Sequence, residues 1–536
     1  MKEDKEKEVL EGGALSDGGN QSENEPETGS VKKEETISEK KDTRGRIIAR
    51  ILLLALGNAV LIAGVWQAIL FDGISVAAMI FQLKVPMEGA DGGNFKSLAI
   101  AMAIGIPVMT AILYLIGNLW RKKIKKNRVL RFFRDRKVLT AGMWFALAAI
   151  VILARMQVFS YLWLVIRPST IYEENYAAVE MEKIKAPEKK RNLIYIYMES
   201  LENSYADKSV GGLADQNRIP YLTELALKEG ETFDADGKLN GLERVEGAVF
   251  TCGSLVSQSS GVPLILPIDG NSMGKGYKEF LPGAVTIGEV LDHFGYQEVF
   301  LQGSAVEFAG TDLFLKDHGN YAVRDYNYYN RNGRLPQLNY FVWWGFEDFR
   351  LYEFAKEEIT RVSKDDRPFA VTIMTIDTHF TGGYECPLCG HEFKTGYDNV
   401  IRCADCQIKE FLAWAKEQDF YENTTIVIVG DHPTMDSKYY RQLSKGDDKY
   451  VRRAYTVILN SAAEYTLGKT RRYGAFDMFP TTLAAMGFEI EGNRLGLGVN
   501  LYSDEKTLVE RYGLKKLNKE LLKHSKYYDK HIIEGK

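Results

Sequence analysis

Apolar residues are nearly absent from the first 44 positions, where Glu, Lys, Asp, Ser and Gly crowd together. A segment of that composition buries too little surface to offset its ordering entropy, which predicts a disordered tail. No apolar core follows within the first 30 residues, so no signal peptide is expected. An excess of positive charge is also lacking. The formal net charge is −4, which argues against a nucleic-acid binder. The rest of the composition, 45% hydrophobic and 26% charged over 536 residues, is that of folded protein with room for more than one domain.

Charge is scarce in three further places, and these carry a topology. The runs "IIARILLLALGNAVLIAGVWQAIL" (47–70), "SLAIAMAIGIPVMTAILYLIGNLW" (97–120) and "LTAGMWFALAAIVILARMQVFSYLWLVI" (139–166) each exceed the roughly 20 residues that cross a bilayer. Arg155 sits inside the third, where it must find a partner or reach a headgroup. The stretch "ISVAAMIFQL" between the first two is too short to span. Lys41, Arg44, Arg46 and Arg50 flank the first run, and the loop 121–138 holds ten Lys or Arg against one Asp. The loop 71–96 holds only Lys84 and Lys96. With both basic regions in the cytoplasm, the expectation is an inside tail (1–44), three crossings within 45–166, and everything after about residue 167 outside.

Residues 167–190 read as a polar connector. Beyond them "LIYIYM" (193–198), "EVFLQG" (298–303), "FAVTIMTID" (369–377), "TIVIVG" (425–430) and "YTVILN" (455–460) are near-continuous apolar runs, as in strands buried on both faces. "PYLTELALKEG", "CQIKEFLAWAKEQ" and "FDMFPTTLAAMG" have helical spacing or terminal glycines. The fold class predicted is α/β, a largely parallel sheet with helices on both faces, preceded by a transmembrane helical region.

Open α/β sheets bind ligands at the carboxyl ends of their strands. There the sequence places Glu199, then Asp377 and His379, then Asp431 and His432. Any one ending is equally well a turn; three at one edge favour a convergent metal site. In "EGAVFTCGSLVSQSSGVPL" (246–264), Thr251 opens a Ser-rich stretch able to start a helix, whose free N–H groups suit a phosphoryl group. A divalent metal held by Glu199, Thr251, Asp431 and His432 would activate that hydroxyl as a nucleophile. The plainer reading of Thr251 is a helix N-cap.

Four of the five cysteines form "CPLCG" (386–390) and "CADC" (403–406). This C-x2-C pair of pairs reads either as structural zinc, in the manner of a zinc ribbon, or as two disulfides permitted by an exterior location. Cys252, beside Thr251, reads as small and buried.

Taken as an ordered set, "YMES", a Thr some fifty residues on, "DTH" and "GDHPTM" resemble the lipoteichoic acid synthase and phosphoglycerol transferase group of the alkaline phosphatase/sulfatase superfamily. "FQLKVPMEGAD", "FAGTDLFLKDHGNY", "FDMFPTTLAAMG" and "NRLGLGVNL" are most similar to its glycan-decorating branch. The resemblance implies an extracellular sulfatase-like catalytic domain over 191–505, with a four-cysteine insertion at 384–407 and a helical tail at 506–536. It implies transfer of glycerol phosphate from phosphatidylglycerol to a glycan or glycolipid hydroxyl, with Thr251 as nucleophile. Glu199, Thr251, Asp431 and His432 would hold Mn2+, with Mg2+ or Zn2+ compatible, and His379 would contact the phosphoglycerol or leaving group. Polymerising relatives carry a Trp and an Arg in the region matching 304–312. Here it reads "SAVEFAGTD", which favours single-unit transfer, with Phe308 and Asp312 as candidate pocket residues. A phosphoethanolamine transferase, a hydrolase of the same fold and a non-catalytic surface binding protein are the alternative readings.

Overall fold

The computed structural model describes residues 43–70, 76–77, 79–80, 93–123, 132–133, 135–266, 279–447 and 449–536. The acidic tail as far as residue 42, most of 71–92 with the motif "FQLKVPMEGAD", and most of the basic loop lie outside the described residues.

Among the described residues, three helices are long and apolar enough to cross a membrane: α1 (Arg44–Leu70), α2 (Gly93–Lys123) and α3 (Lys137–Arg155). Their few polar groups find one another. Asn58 of α1, fully buried, donates to Thr110 of α2 at 3.1 Å and accepts from the Trp144 indole of α3 at 3.2 Å. Arg50 donates to Asn118 at 3.0 Å. The third apolar run is not one helix, as its length suggests. Gln157 takes φ 58°, and a separate helix α4 (Val158–Val165) follows. No Gly or Pro marks that break. It leaves Arg155 as the last residue of α3, where a cation meets the negative end of the helix dipole.

Seven strands form the main sheet: β1 (Asn192–Met198), β2 (Gly241–Glu243), β3 (Gln297–Gln302), β4 (Tyr321–Arg324), β5 (Phe369–Met374), β6 (Thr424–Gly430) and β7 (Arg453–Leu459). Their spatial order is β2-β7-β6-β1-β5-β3-β4. The five strands from β6 to β4 run parallel, and β7 is antiparallel to both β6 and β2. Alternate residues of β1 enter two separate cores. Leu193, Tyr195 and Tyr197 pack on one face, Ile194, Ile196 and Met198 on the other. Helices α6 (Thr251–Ser260) and α9 (Met478–Ala485) cover the first face; α5 (Pro220–Lys228), α7 (Asp348–Val362) and α8 (Gly396–Lys416) cover the second. This is the expected α/β sheet clad on both faces, and each strand read as an apolar run is present. Strands β2 and β4 are too short to give a pattern in sequence.

Register sets up the site. Met198 pairs with Gly430, so the residues that follow, Glu199 and Asp431, leave neighbouring strands side by side. Gly430 is required there, because a Cβ would stand 1.8 Å from the Leu201 carbonyl oxygen.

Candidate metal centre and nucleophile

Glu199, Asp431 and His432 are all buried, and ligand atoms from the three lie within 4.8 Å of one another. Each is held by its own backbone surroundings. The Asp431 Oδ1 accepts the N–H groups of Ser200 (2.8 Å) and His432 (2.7 Å), while its Oδ2 is buried and accepts no hydrogen bond from any described residue. That Oδ2 lies 3.3 Å from His432 Nε2, but out of line for a hydrogen bond. His432 Nδ1 donates to the Pro433 carbonyl at 3.1 Å, which leaves the Nε2 lone pair facing the cluster. Glu199 Oε1 accepts from Ser200 Oγ at 2.6 Å, and its Oε2 accepts from Thr251 Oγ1 at 3.2 Å. Burial, then the neighbouring Asp431 charge, pushes the Glu199 carboxyl well above the usual carboxylate range. Two buried carboxyl groups, one with an orphaned oxygen, beside an imidazole nitrogen are what a divalent cation neutralises. The donor set therefore fits a metal, and its oxygen-rich character suits Mn2+ or Mg2+ while leaving Zn2+ compatible.

Thr251 is the first residue of α6 rather than its N-cap. The cap position is Phe250, which offers no side-chain acceptor. The first-turn N–H groups consequently lack intrahelical and side-chain cap acceptors, at the helix end that carries the Thr251 hydroxyl. Thr251 Oγ1 stands 3.2 Å from Glu199 Oε2 and 3.3 Å from His432 Nε2. A relay locks α6 to the cluster: Tyr195 donates to Gln258, Gln258 to Ser254 Oγ, and Ser254 Oγ to the Asp431 carbonyl. The arrangement can hold a cation against a hydroxyl and present a phosphoryl group to helix N–H donors. Cys252 is buried with its thiol pushed up to about 12 by burial, which keeps it a protonated spacer.

The "DTH" segment divides. His379 is half-buried, with Nδ1 donating to the Phe380 carbonyl at 2.6 Å. Asp377 does not join the cluster. It follows Met374, which pairs with Tyr197, so the chain overshoots the metal ligands. Its carboxylate accepts instead from the Asp348 N–H at 3.1 Å, while the Asp348 carboxylate accepts the N–H groups of Ile376 and Asp377 at 2.8 and 3.0 Å. The two acids close the start of α7 onto the end of β5. Burial raises both.

Trp344 carries no recognisable motif in the sequence, yet its ring centroid is 4.6 Å from that of His379 and 5.5 Å from that of Phe308. The indole N–H groups of Trp343 and Trp344 are buried with no acceptor among the described residues. A tryptophan thus does stand beside His379, supplied by the "FVWWGF" segment rather than by 304–312. Its only signal was composition, two adjacent indoles. Phe308 belongs to this wall; Asp312 is exposed.

The cysteines also divide. Sγ of Cys386 is 3.7 Å from that of Cys403 and 3.8 Å from that of Cys389, with no bond between them. Cys403 and Cys406 lie within α8 rather than in a second knuckle, because Thr395 caps that helix early by accepting the Asp398 N–H.

The Sulfatase family model matches residues 191–488, more than half of the chain. This chain belongs to the sulfatase family. Within it, the sulfatase-family chain is similar to phosphoglycerol transferase I of Xanthomonas campestris pv. campestris (strain B100). Identity is 31% over 395 residues, covering 70% of this chain and 51% of that protein. Phosphoglycerol transferase I of Escherichia coli (strain 55989 / EAEC) is 28% identical over 335 residues, covering 61% of this chain and 41% of that protein. The chain spans about half the length of the curated relatives it matches. A solved lipoteichoic acid synthase from Listeria monocytogenes aligns at 15% identity and TM-score 0.45, covering 60% of this chain and 80% of that one. The family assignment bears out the resemblance drawn from the ordered motifs.

Proposed function

We propose that this sulfatase-family protein is a membrane-anchored phosphoglycerol transferase. It moves glycerol phosphate from phosphatidylglycerol, through a phosphothreonine intermediate on Thr251, to a hydroxyl of a glycan or glycolipid. The observation that carries this reading is Thr251 Oγ1, set at the start of α6 within 3.2 Å of Glu199 and 3.3 Å of His432. The names of the relatives support the transferred group, and three apolar helices support an anchor that keeps the domain beside a lipid donor. In this reading the basic flanks stay in the cytoplasm and the domain after residue 167 faces outward.

Glu199, Thr251, Asp431 and His432 would hold a divalent cation, Mn2+ by preference, which when bound lowers the pKa of a hydroxyl and offsets phosphoryl charge. The chain's own residues do the rest. Thr251 Oγ1 forms a bond to phosphorus as the bond from phosphorus to the diacylglycerol oxygen breaks. Its proton passes to Glu199 Oε2, which lies 3.2 Å away. The α6 N–H groups receive the phosphoryl oxygens. His379, its Nδ1 donating to the Phe380 carbonyl, acts as the imidazolium, and its Nε2 proton passes to the leaving oxygen so that diacylglycerol departs as the neutral alcohol. The acceptor hydroxyl then attacks the phosphothreonine and gives its proton to the now neutral His379, the bond from phosphorus to Thr251 Oγ1 breaks, and Thr251 regains its proton from Glu199. Trp344, with Phe308 behind it, forms a wall on which a sugar or glycerol unit can stack.

The test uses the full chain in detergent with Mn2+ and phosphatidylglycerol labelled in its glycerol headgroup. Wild type should retain label covalently and release diacylglycerol, and Thr251→Ala should do neither. Equal turnover by both would remove Thr251 from the mechanism.

A further inference from the structure

A second ligand cluster lies apart from the strand-end acids. Cys386 and Cys389 sit in the turn that follows the His379 loop, and Cys403 projects from α8. Cys386 and Cys403 are buried, and Cys389 is half-buried. Tetrahedral zinc thiolates, with Zn–S bonds of about 2.3 Å, hold their sulphurs ~3.8 Å apart. The observed separations are 3.7 and 3.8 Å. A disulfide would need about 2.05 Å, and Cys386 stands equally far from two thiols, so no pairing is selected.

A side-chain amide also faces the cluster. The Cys389 N–H closes the turn onto the Cys386 carbonyl at 3.0 Å. Gln407 directs its amide Nε2 to Cys403 Sγ at 3.2 Å and to Cys386 Sγ at 3.8 Å. Amide donors around sulphur stabilise its negative charge and orient it toward a metal. Three thiols enclosed this way without a cation would be only weak donors to one another.

We propose that Cys386, Cys389 and Cys403 bind a structural zinc ion, with Cys406, three residues further along α8, closing the fourth position. Cys406 Sγ lies outside the group of thiols that are within 4.8 Å of one another, but side chains three apart on a helix are neighbours, so a change of rotamer brings it to the cluster. Each thiol loses its proton to solvent as zinc binds. The site fastens the turn after His379 to α8. One turn and a half before Cys403, α8 also carries Tyr397, whose hydroxyl donates to the Thr378 carbonyl at 2.7 Å and lies 3.1 Å from Thr434 Oγ1. Zinc therefore holds in place the helix that joins the "DTH" and "GDHPTM" loops. It is a soft-donor site distinct from the oxygen-rich centre, and it stands whether or not the transferase reading does.

The test is metal analysis of the full chain purified in detergent and gel-filtered in metal-free buffer. About one zinc per chain is expected in wild type and in Asp431→Asn, released by a mercurial thiol reagent. Cys386→Ser and Cys403→Ser should each lose it, and Cys252→Ser should keep it. Cys406→Ser should speed zinc transfer to a chromophoric chelator at least ~10-fold, and an unchanged rate would overturn the fourth-ligand assignment. Should the Cys variants fail to fold, mercurial release from wild type still decides. Wild type without zinc, or an intact mass lighter by two hydrogens per cysteine pair, would overturn the proposal in favour of no site or a disulfide.

Discussion

The two ligand clusters of this domain are built in opposite ways. The strand-end centre gathers Glu199, Thr251, Asp431 and His432 from three elements separated by up to 233 positions, and only the parallel sheet brings them together. The cysteine cluster spans 17 positions and needs only a turn laid on a helix. The first is made of oxygen and imidazole donors at the end of a rigid sheet, the second of thiols on its flank. Hard donors fixed by long-range topology suit chemistry on a phosphoryl group, and soft donors fixed locally suit fastening. One domain can thus select two cations without confusing them.

Thr251→Ala should give the largest effect, a loss of at least ~1,000-fold in covalent label transfer while the zinc content stays near one per chain. If both fell together, the two clusters would not be independent. Next, Asp431→Asn removes the orphaned oxygen and should weaken Mn2+ binding by ~100-fold or more, read by calorimetry, with mercurial-releasable zinc unchanged.

Glu298 shows what burial does to an acid that no cation site shelters. Its carboxyl is pushed up to about 8, chiefly by burial, although it accepts the Asn320 N–H at 2.7 Å. A folded-state pKa raised above the unfolded value gives stability that is present below about pH 4.5 and lost as pH rises through about 8. Wild type should therefore lose up to a few kcal/mol relative to Glu298→Gln between pH 5 and pH 9, measured by denaturant unfolding. A flat difference would mean Glu298 stays charged. The smallest effect expected is that of Tyr397→Phe, which removes the hydroxyl joining both loops. About 1–2 kcal/mol of stability should go, with a larger fractional loss of transfer than of zinc.

Much of the strand-end centre was legible because each ligand follows an apolar run whose end is marked by a change in polarity: "YMES", "GDHP". The register that makes them neighbours, Met198 against Gly430, was not legible, since strand pairing is a long-range property. Asp377 illustrates the cost. Its position after a strand looks the same as that of Asp431, but the pairing of Tyr197 with Met374 carries it past the ligands to Asp348. Trp344 was invisible because its partner His379 lies 35 positions away and nothing local distinguishes an indole on a wall from one in a core. In the cysteine insertion the spacing was clear, but the early helix start at Thr395 was not, so two knuckles were expected where one turn and one helix occur.

Asn58 has a further consequence for how the anchor goes together. One side-chain amide donates to α2 and accepts from α3, so it acts as an alignment mark shared by all three helices, beside the Arg50–Asn118 contact that joins only α1 and α2. Sliding either neighbour by one residue shifts its partner group about 1.5 Å along the axis and breaks a bond that lipid cannot replace. The bundle has one correct vertical setting, and one asparagine reads it for both neighbours at once.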